Sequence, residues 1–374
     1  MKVIFFTEEL AEKNGWGRYS LDLINSLKSL GLEVEVICHR LAPQVKNVKQ
    51  HQLLPSSLSY RSNYFLFWLT VLKGFFRLRK LKGSIIHCAV ETYAPTAWCL
   101  SLLTSWPMFL AIHGSFGVKP FKYFWFGLVQ KIVYQSKKVK IICGSHFTQK
   151  IILSRITKLI KSFVIPHGVN LSNLSKSRDI KNISLLPVVL GVGAVKKRKG
   201  YHLVVEALPK IVKIFPDFKY WIVGNQGDKL YVDSLKARIK ELKLTDHITF
   251  FENISDQKLN NLYQQADLFV LTPTSDEYNF EGFGLVYLKA NAHGLPVIGM
   301  KGSGAEEAIV HGQTGFLADI NDSESVADLI IKVLKDDNLY SKMSKAGITW
   351  AKDHSWDKIA VKYLNLYTTG DADN

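Results

Sequence analysis

A strand, a glycine-bearing loop, a helix and a second strand follow one another twice along this chain, once in each half. Val3-Ile4-Phe5-Phe6 reads as a buried strand. The loop Thr7 to Gly17 follows, with Asn14-Gly15-Trp16-Gly17 inside it. Leu21, Leu23, Ile24, Leu27 and Leu30 then recur at helical spacing over Arg18–Leu30, and Val34–Cys38 is a second strand. The pattern restarts with the strand Pro187–Gly193, the basic loop Lys196–Gly200, the amphipathic helix Tyr201–Ile214 and the strand Tyr220–Gly224. Units of this kind build doubly wound parallel sheets, and ligands bind beyond the carboxyl ends of their strands. The expected fold is therefore α/β with two Rossmann-like domains facing an interdomain cleft. A chain of 374 residues, 47% of them hydrophobic, has enough apolar material for a core in each.

Ile85–Cys88, Met108–Gly114, Lys140–Ser145 and Phe163–Asn170 extend the first half as strands and their trailing loops. Ile248–Phe251 and Asp267–Leu271 do so in the second. Residues 39–62, with Pro43 and Pro55, read as a long polar loop, and about 171–186 as a linker. The expected division is an N-terminal domain over 1–175, a C-terminal domain over 186–350, and a last helix with its tail over 351–374.

Charge separates the halves. Residues 1–170 carry 23 Lys and Arg against 7 Asp and Glu, whereas 171–374 carry 25 of each, so the net charge of +16 belongs to the first half. That asymmetry points to an anionic partner surface, nucleic acid or acidic lipid. Two stretches mix bulky aromatics with cations, Tyr64–Lys82 and Lys119–Lys131. They suit interfacial helices on an anionic membrane, or core helices with a basic outer face. Stacking platforms for single-stranded nucleic acid are a third reading, but no nucleic-acid motif accompanies them, and no nucleic-acid partner is expected. No run of about 18 apolar residues offers a membrane span. Glu8 and Glu9 interrupt the N-terminal apolar stretch, so a cytoplasmic protein is expected, or one peripheral on the inner face of the membrane. Cys38, Cys88, Cys99 and Cys143 lack metal-ligand spacing and read as small core residues in a reducing compartment.

Phe280-Glu281-Gly282-Phe283-Gly284 leads into an apolar run at helical spacing and then Gly294-Leu295-Pro296-Val297-Ile298, a turn into a buried strand. Glycines at a helix mouth let backbone N–H groups reach an anion. A carboxylate beside them accepts from hydroxyls. Diphosphate together with sugar hydroxyls describes a nucleotide sugar. This stretch resembles the signature of retaining glycosyltransferases of the group 1 (family 4) type, which have the GT-B fold. Pro166–Asn170 resembles the family's hinge segment. Gly193–Gly200 resembles its strand and basic loop, and Leu262–Val270 the helix into the strand before the signature. Ala305-Glu306-Glu307 with Gly312–Phe316 resembles the turn after it. His354-Ser355-Trp356 then opens a helix that in the family crosses back onto the first domain.

The resemblance implies a hexosyltransferase that retains anomeric configuration and needs no metal or other cofactor. Arg198 and Lys199 would stabilise the leaving diphosphate, where fixed cations count for more in the transition state than before it. The position after Gly193, often Arg in the family, is Ala194 here. Glu281 would accept from donor-sugar hydroxyls, with Gly282, Phe283 and Gly284 at the donor. A carboxylate favoured by a helix dipole is the plain alternative. His113 would meet a sugar hydroxyl, or simply be satisfied at its strand end. Gly15 and Gly17 would let the first-domain loop approach the diphosphate. Asp276, Glu277 and Asp319 read as loop acids. The family's second glutamate is replaced by Lys289, which donates to a ribose oxygen but cannot accept from its hydroxyl. Loss of that charge-assisted bond costs roughly 1.5–3 kcal/mol. It implies weaker or rearranged donor binding, or lost catalysis.

The expected function is sugar transfer from a UDP-, GDP- or ADP-sugar to a hydroxyl of a lipid-linked or cell-surface polysaccharide acceptor, on an anionic membrane surface. A transferase acting on a soluble carbohydrate acceptor and an inactive nucleotide-sugar-binding protein are the alternatives.

Overall fold

A computed structural model describes residues 1–11, 15–57, 64–78, 84–157, 160–171 and 186–372. Asn14, residues 79–82 of the first aromatic stretch and nearly all of the linker lie outside them. The chain divides into an N-terminal unit, Met1–Gly168 with Trp356–Asn374, and a C-terminal unit, Val169–Ser355.

The N-terminal unit holds a parallel sheet of β1 (Lys2–Phe6), β2 (Glu33–His39), β3 (Lys49–Leu54), β4 (Ser84–Cys88), β5 (Met108–Ile112), β6 (Val139–Cys143) and β7 (Ser162–Val164). Its order is β3-β2-β1-β4-β5-β6-β7. The helices are α1 (Gly15–Ser29), α2 (Tyr64–Leu78), α3 (Ala94–Thr104), α4 (Phe124–Tyr134) and α5 (His146–Leu153). Val3 to Phe6 are fully buried, as a strand covered on both faces requires. Tyr19, Leu23, Ile24 and Leu27 give α1 its inward stripe.

The expectation of a loop over 39–62 is corrected by β3, which pairs in parallel with β2. Lys49-Gln50-His51-Gln52 lacks an apolar run because the strand lies at the sheet edge, where polar side chains are tolerated. It is fastened by Glu35 of β2, whose carboxylate meets His51 Nε2 at 2.7 Å, Lys49 Nζ at 2.9 Å and Lys2 Nζ at 3.1 Å. Burial pushes the Glu35 carboxyl up, but His51, Lys49 and Lys2 outweigh it and hold it at about 2.

The C-terminal unit has β8 (Val188–Val192), β9 (Lys219–Val223), β10 (Ile248–Phe251), β11 (Leu268–Val270), β12 (Val297–Met300) and β13 (Gly315–Ala318) in the parallel order β10-β9-β8-β11-β12-β13. Around it lie α6 (Tyr201–Val212), α7 (Lys229–Glu241), α8 (Asp256–Gln265), α9 (Leu285–Ala292), α10 (Ala305–Ala308), α11 (Ser323–Lys335) and α12 (Asp337–Asp353). Helix α9 ends in a Schellman motif: Gly294 N–H donates to Asn291 O and Leu295 N–H to Ala290 O. That closure turns the chain directly into β12.

The last helix, α13 (Trp356–Thr368), belongs to the N-terminal unit and packs on α1. The chain leaves the first unit after Gly168 and re-enters it at Trp356, and the Trp356 ring lies so close to Gly168 that a Cβ there would sit 2.4 Å from it. Tyr363 donates to, or accepts from, the Tyr19 hydroxyl at 2.8 Å, and Tyr367 meets His87 Nδ1 at 2.7 Å. Among the described residues no helix is long and apolar enough to cross a membrane.

Candidate functional site

In each sheet the strand order reverses beside the first strand of its unit, between β1 and β4 and between β8 and β11. Loops diverge at such a reversal and leave a crevice. In the C-terminal unit the loop after β8 carries Arg198 and Lys199, and the loop after β11 carries Glu281. The fold thereby joins residues more than eighty positions apart.

The Lys197–Lys199 segment forms a 3-10 turn that ends at Gly200 in the left-handed region, with φ of 75°. A Cβ on Gly200 would lie 1.6 Å from Thr272 O, so only glycine fits against the β11 loop. Thr272 Oγ1 donates to Gly200 O at 2.7 Å, and Thr274 N–H donates to Arg198 O at 2.9 Å. These bonds hold the basic turn on the loop that leads to Glu281. Lys199 Nζ then donates to Glu281 Oε2 at 2.6 Å, and Arg198 Nη1 approaches the same oxygen at 3.4 Å. Lys199 is almost buried, while Arg198 keeps 31% of its side chain exposed. Burial pushes the Glu281 carboxyl up, but Lys199 and Arg198 outweigh that effect, and its net shift is downward. One anion between two cations leaves the group positive and suited to a diphosphate.

Glu281 is fixed through its backbone too, because its carbonyl accepts from Gly304 N–H at 2.9 Å. Gly282 and Phe283 are buried, and Gly284 starts α9 with φ of 85°. A Cβ on Gly284 would meet the Tyr287 ring at 2.6 Å. Tyr287 itself is buried and anchored by its hydroxyl to Leu271 O at 2.6 Å. The expected residues Arg198, Lys199, Glu281, Gly282, Phe283 and Gly284 are thus brought into one loop cluster. Lys289 lies in the last turn of α9, half-buried, one helical turn beyond Leu285. Asp276 and Asp319 serve structure: Asp276 accepts from Tyr278 and Asn279 N–H groups, and Asp319 pairs with Lys301. Among the described residues no group of three His, Cys, Asp or Glu is placed to hold a metal ion.

The N-terminal unit places His113 after β5, on different terms. His113 Nε2 lies 2.9 Å from Ala89 O, and its Nδ1 lies 2.9 Å from His167 Nε2. A neutral ring satisfies this if Nε2–H donates to Ala89 and Nδ1 accepts from His167. Burial lowers the His113 ring to about 4, and burial followed by the His113 neighbour lowers His167 to about 3. Glu91 Oε1 accepts the His113 backbone N–H at 2.9 Å. Both ring nitrogens are committed within the protein in this conformation, so a contact from His113 to a sugar hydroxyl requires one of these bonds to open. Tyr19 packs edge-on against His113 and Trp356. Gly15 and Gly17 lie inside the first turns of α1 rather than in a loop before it, Gly15 exposed and Gly17 buried.

Glu91, His167, Tyr19, Thr272 and Gly304 support these clusters and were not singled out as site residues from sequence. His167 alone carried a signal, inside the expected hinge segment. Helical spacing marks Tyr19 as core and no more.

The matches to known proteins follow the same division. Residues 13–173 match the model of the family described as "Glycosyltransferase Family 4", and residues 175–350 that of "Glycosyl transferases group 1". The chain is 30% identical over 199 residues to a GDP-mannose-dependent alpha-(1-6)-phosphatidylinositol monomannoside mannosyltransferase of Mycolicibacterium smegmatis, covering 51% of each protein. It is 30% identical over 185 residues to the mannosylfructose-phosphate synthase of Agrobacterium fabrum, covering 48% of this chain and 40% of that one. The chain thus spans about half the length of the curated relatives it matches. Among solved structures, Anabaena HepE in complex with UDP and glucose superposes with a TM-score of 0.80 at 19% identity, over 99% of this chain and 100% of that one. The sucrose-phosphate synthase of Thermosynechococcus elongatus gives 0.80 at 21%, over 99% and 98%. Two parallel Rossmann-like sheets with these neighbours make the fold GT-B. With consecutive family models matching both units, the chain belongs to the group 1 glycosyltransferases.

Proposed function

We propose that the chain transfers a sugar from a nucleotide-sugar donor to a hydroxyl of a lipid-linked or cell-surface polysaccharide acceptor, with retention of anomeric configuration. The observation that carries this reading is Glu281, held by Lys199 and Arg198 beside the α9 entrance. Transfer breaks the bond from the anomeric carbon to the leaving phosphate oxygen and forms one to the acceptor oxygen. Charge grows on the diphosphate, where Arg198 and Lys199 are already in place and need no reorganisation. Glu281 orients both cations and accepts from a donor hydroxyl. Attack on the same face as departure lets the leaving phosphate oxygen take the acceptor proton, so the protein supplies positioning rather than a covalent nucleophile. The two cations do the electrostatic work that a metal performs elsewhere, and the reaction is proposed to be metal-independent.

Relatives are named for GDP-mannose and solved neighbours hold UDP or UDP-glucose, so both bases head the list of donors, with ADP third. The test is nucleotide release from a panel of UDP-, GDP- and ADP-sugars, with and without membrane lipid extract and with EDTA. Release from one donor that rises with lipid, ignores EDTA and yields a product of unchanged anomeric configuration supports the reading. Slow release indifferent to lipid shifts it to a soluble acceptor. Nucleotide binding without release from any donor favours a second reading motivated by Lys289, a nucleotide-sugar-binding protein that has lost catalysis.

A further inference from the structure

Helix α4 carries large apolar side chains on its outer face as well as on its inner one. Gly127, Gln130, Val133 and Tyr134 face the protein, so the inward stripe includes a glutamine. The outward face is Phe124, Trp125, Leu128, Val129 and Ile132, each exposed, with Phe124 at 77% and Trp125 at 69%. A helix in contact with water places its polar side chains outward. With Phe126, also exposed, α4 presents six large apolar residues over about 16 Å of helix length, given its rise per residue. Scattered exposed leucines are ordinary, but a contiguous apolar patch marks an interaction surface. The helix packs on α3, which exposes Leu102 and Leu103, and α3 packs on α2, which exposes Leu72 and Phe76.

The surroundings identify the occupant. The turn Lys119–Lys122 leads into α4 with two lysines, and Lys131 lies in the last turn. Between residues 36 and 170 the sequence holds a single carboxylate, Glu91, against 19 Lys and Arg. Glu91 is buried and engaged with His113. Aromatic rings flanked by cations, in a region otherwise free of acids, match the interface of an anionic bilayer. Self-association through this face would set like charges together, since a two-fold interface repeats the same patch on both sides. We propose that the outer face of α4, with Lys119 and Lys122 at its rim, docks the N-terminal unit on an anionic lipid surface. Phe124 and Trp125 enter the headgroup region while the lysines meet lipid phosphate. This deepens the lipid-linked-acceptor reading and rests on it for its purpose, not for the binding itself.

Co-sedimentation of the full chain with vesicles, without any donor, tests it. Vesicles of phosphatidylcholine mixed with phosphatidylglycerol are compared with phosphatidylcholine alone. The mixed vesicles are expected to bind about tenfold or more tightly at low salt, with the preference falling as salt rises. Phe124→Ser with Trp125→Ser should lower partition about tenfold or more on both vesicle types. Lys119→Gln with Lys122→Gln should lower the anionic preference by roughly tenfold and leave weak neutral binding unchanged. Both variants should keep wild-type UDP or GDP affinity, which shows an intact C-terminal unit and separates failure here from failure of the transferase reading. Wild-type protein that stays in the supernatant overturns the proposal. So does a Phe124→Ser, Trp125→Ser protein that sediments like wild type. A self-association of the wild type abolished by that variant reassigns the face to a second copy and overturns it too.

Discussion

The two units place polar residues at the carboxyl edges of parallel sheets with opposite electrostatics. In the C-terminal unit the cluster is ionic: Lys199 and Arg198 converge on one oxygen of Glu281. In the N-terminal unit neutral rings predominate: His87, His113 and His167 are held with Tyr19, Tyr363 and Tyr367 in a network of rings and hydroxyls, with the Glu91 carboxylate on the His113 backbone N–H. A partly buried ion group with surplus positive charge is prepared for an anion. A neutral histidine–tyrosine network cannot do that work, but it can fix a returning helix and orient groups beside it. The same sheet topology therefore supports two jobs, and the side chains at the strand ends decide which.

The largest effect expected from breaking this contrast comes at Trp356. Its ring is almost buried in the N-terminal core, against Gly168 and Tyr19. Trp356→Ala should destabilise the N-terminal unit by about 3–5 kcal/mol. Hydrogen exchange should show the strands of that unit losing protection while β8 to β13 keep theirs. Equal loss in both units would mean that α13 does not belong to one of them energetically.

Acid should separate the units next. Burial first, and the His113 neighbour second, lower His87 to about 3, against 6.5 for a free ring. The folded ring binds a proton less readily than the unfolded one, so its stabilising contribution is complete above pH 6.5 and shrinks as the pH falls towards 3. For fully buried His87 that slope is about 1.4 kcal/mol per pH unit, roughly 2 kcal/mol by pH 5, with His113 and His167 adding in the same direction. The lowered Glu281 carboxyl acts later: its contribution is present above pH 4.5 and is lost only as the pH falls below that. Denaturant unfolding between pH 7.5 and 5 should therefore weaken the N-terminal unit more than the C-terminal one, where burial also lowers the half-buried His202 ring. A C-terminal unit that unfolds first on this descent would reverse the assignment of the two networks.

The smallest change sharpens the ionic side. Lys289→Glu restores an acceptor on the half-buried face of α9 and should tighten nucleotide binding about tenfold. Titration calorimetry with UDP and GDP reads it directly, and unchanged or weaker affinity would show that Lys289 itself contacts the nucleotide or lies outside the site.

Where structure follows from neighbours in sequence, it was legible. The buried strands β1, β8 and β11, the period of α1 and the Gly294 turn after α9 all announce themselves within a dozen residues. The resemblance put Arg198 and Lys199 in one family segment and Glu281 with residues 282–284 in another, while their meeting depends on the strand order. Edge strand β3 was hidden because its side chains are polar and its partner, Glu35, lies on another strand. The partners of His113 were hidden for a similar reason. His167 lies 54 positions away, and the Tyr19–Tyr363 bond spans 344. Such pairs depend on the strand order and on the return of α13, which local spacing does not carry. The inward glutamine and outward aromatics of α4 were equally hidden, since composition shows an amphipathic mixture but not which side meets water.

The most direct test of the central claim, that the turn before α6 and the loop before α9 form a diphosphate site, is nucleotide affinity in Lys199→Ala. The substitution leaves Glu281 with only the longer contact to Arg198 and removes the nearest point charge. Calorimetric titration of UDP and GDP should show affinity for the favoured nucleotide falling about a hundredfold, with the thermal stability of the N-terminal unit unchanged. Wild-type affinity in Lys199→Ala would contradict the account and reduce the Lys199–Glu281 pair to a structural clasp.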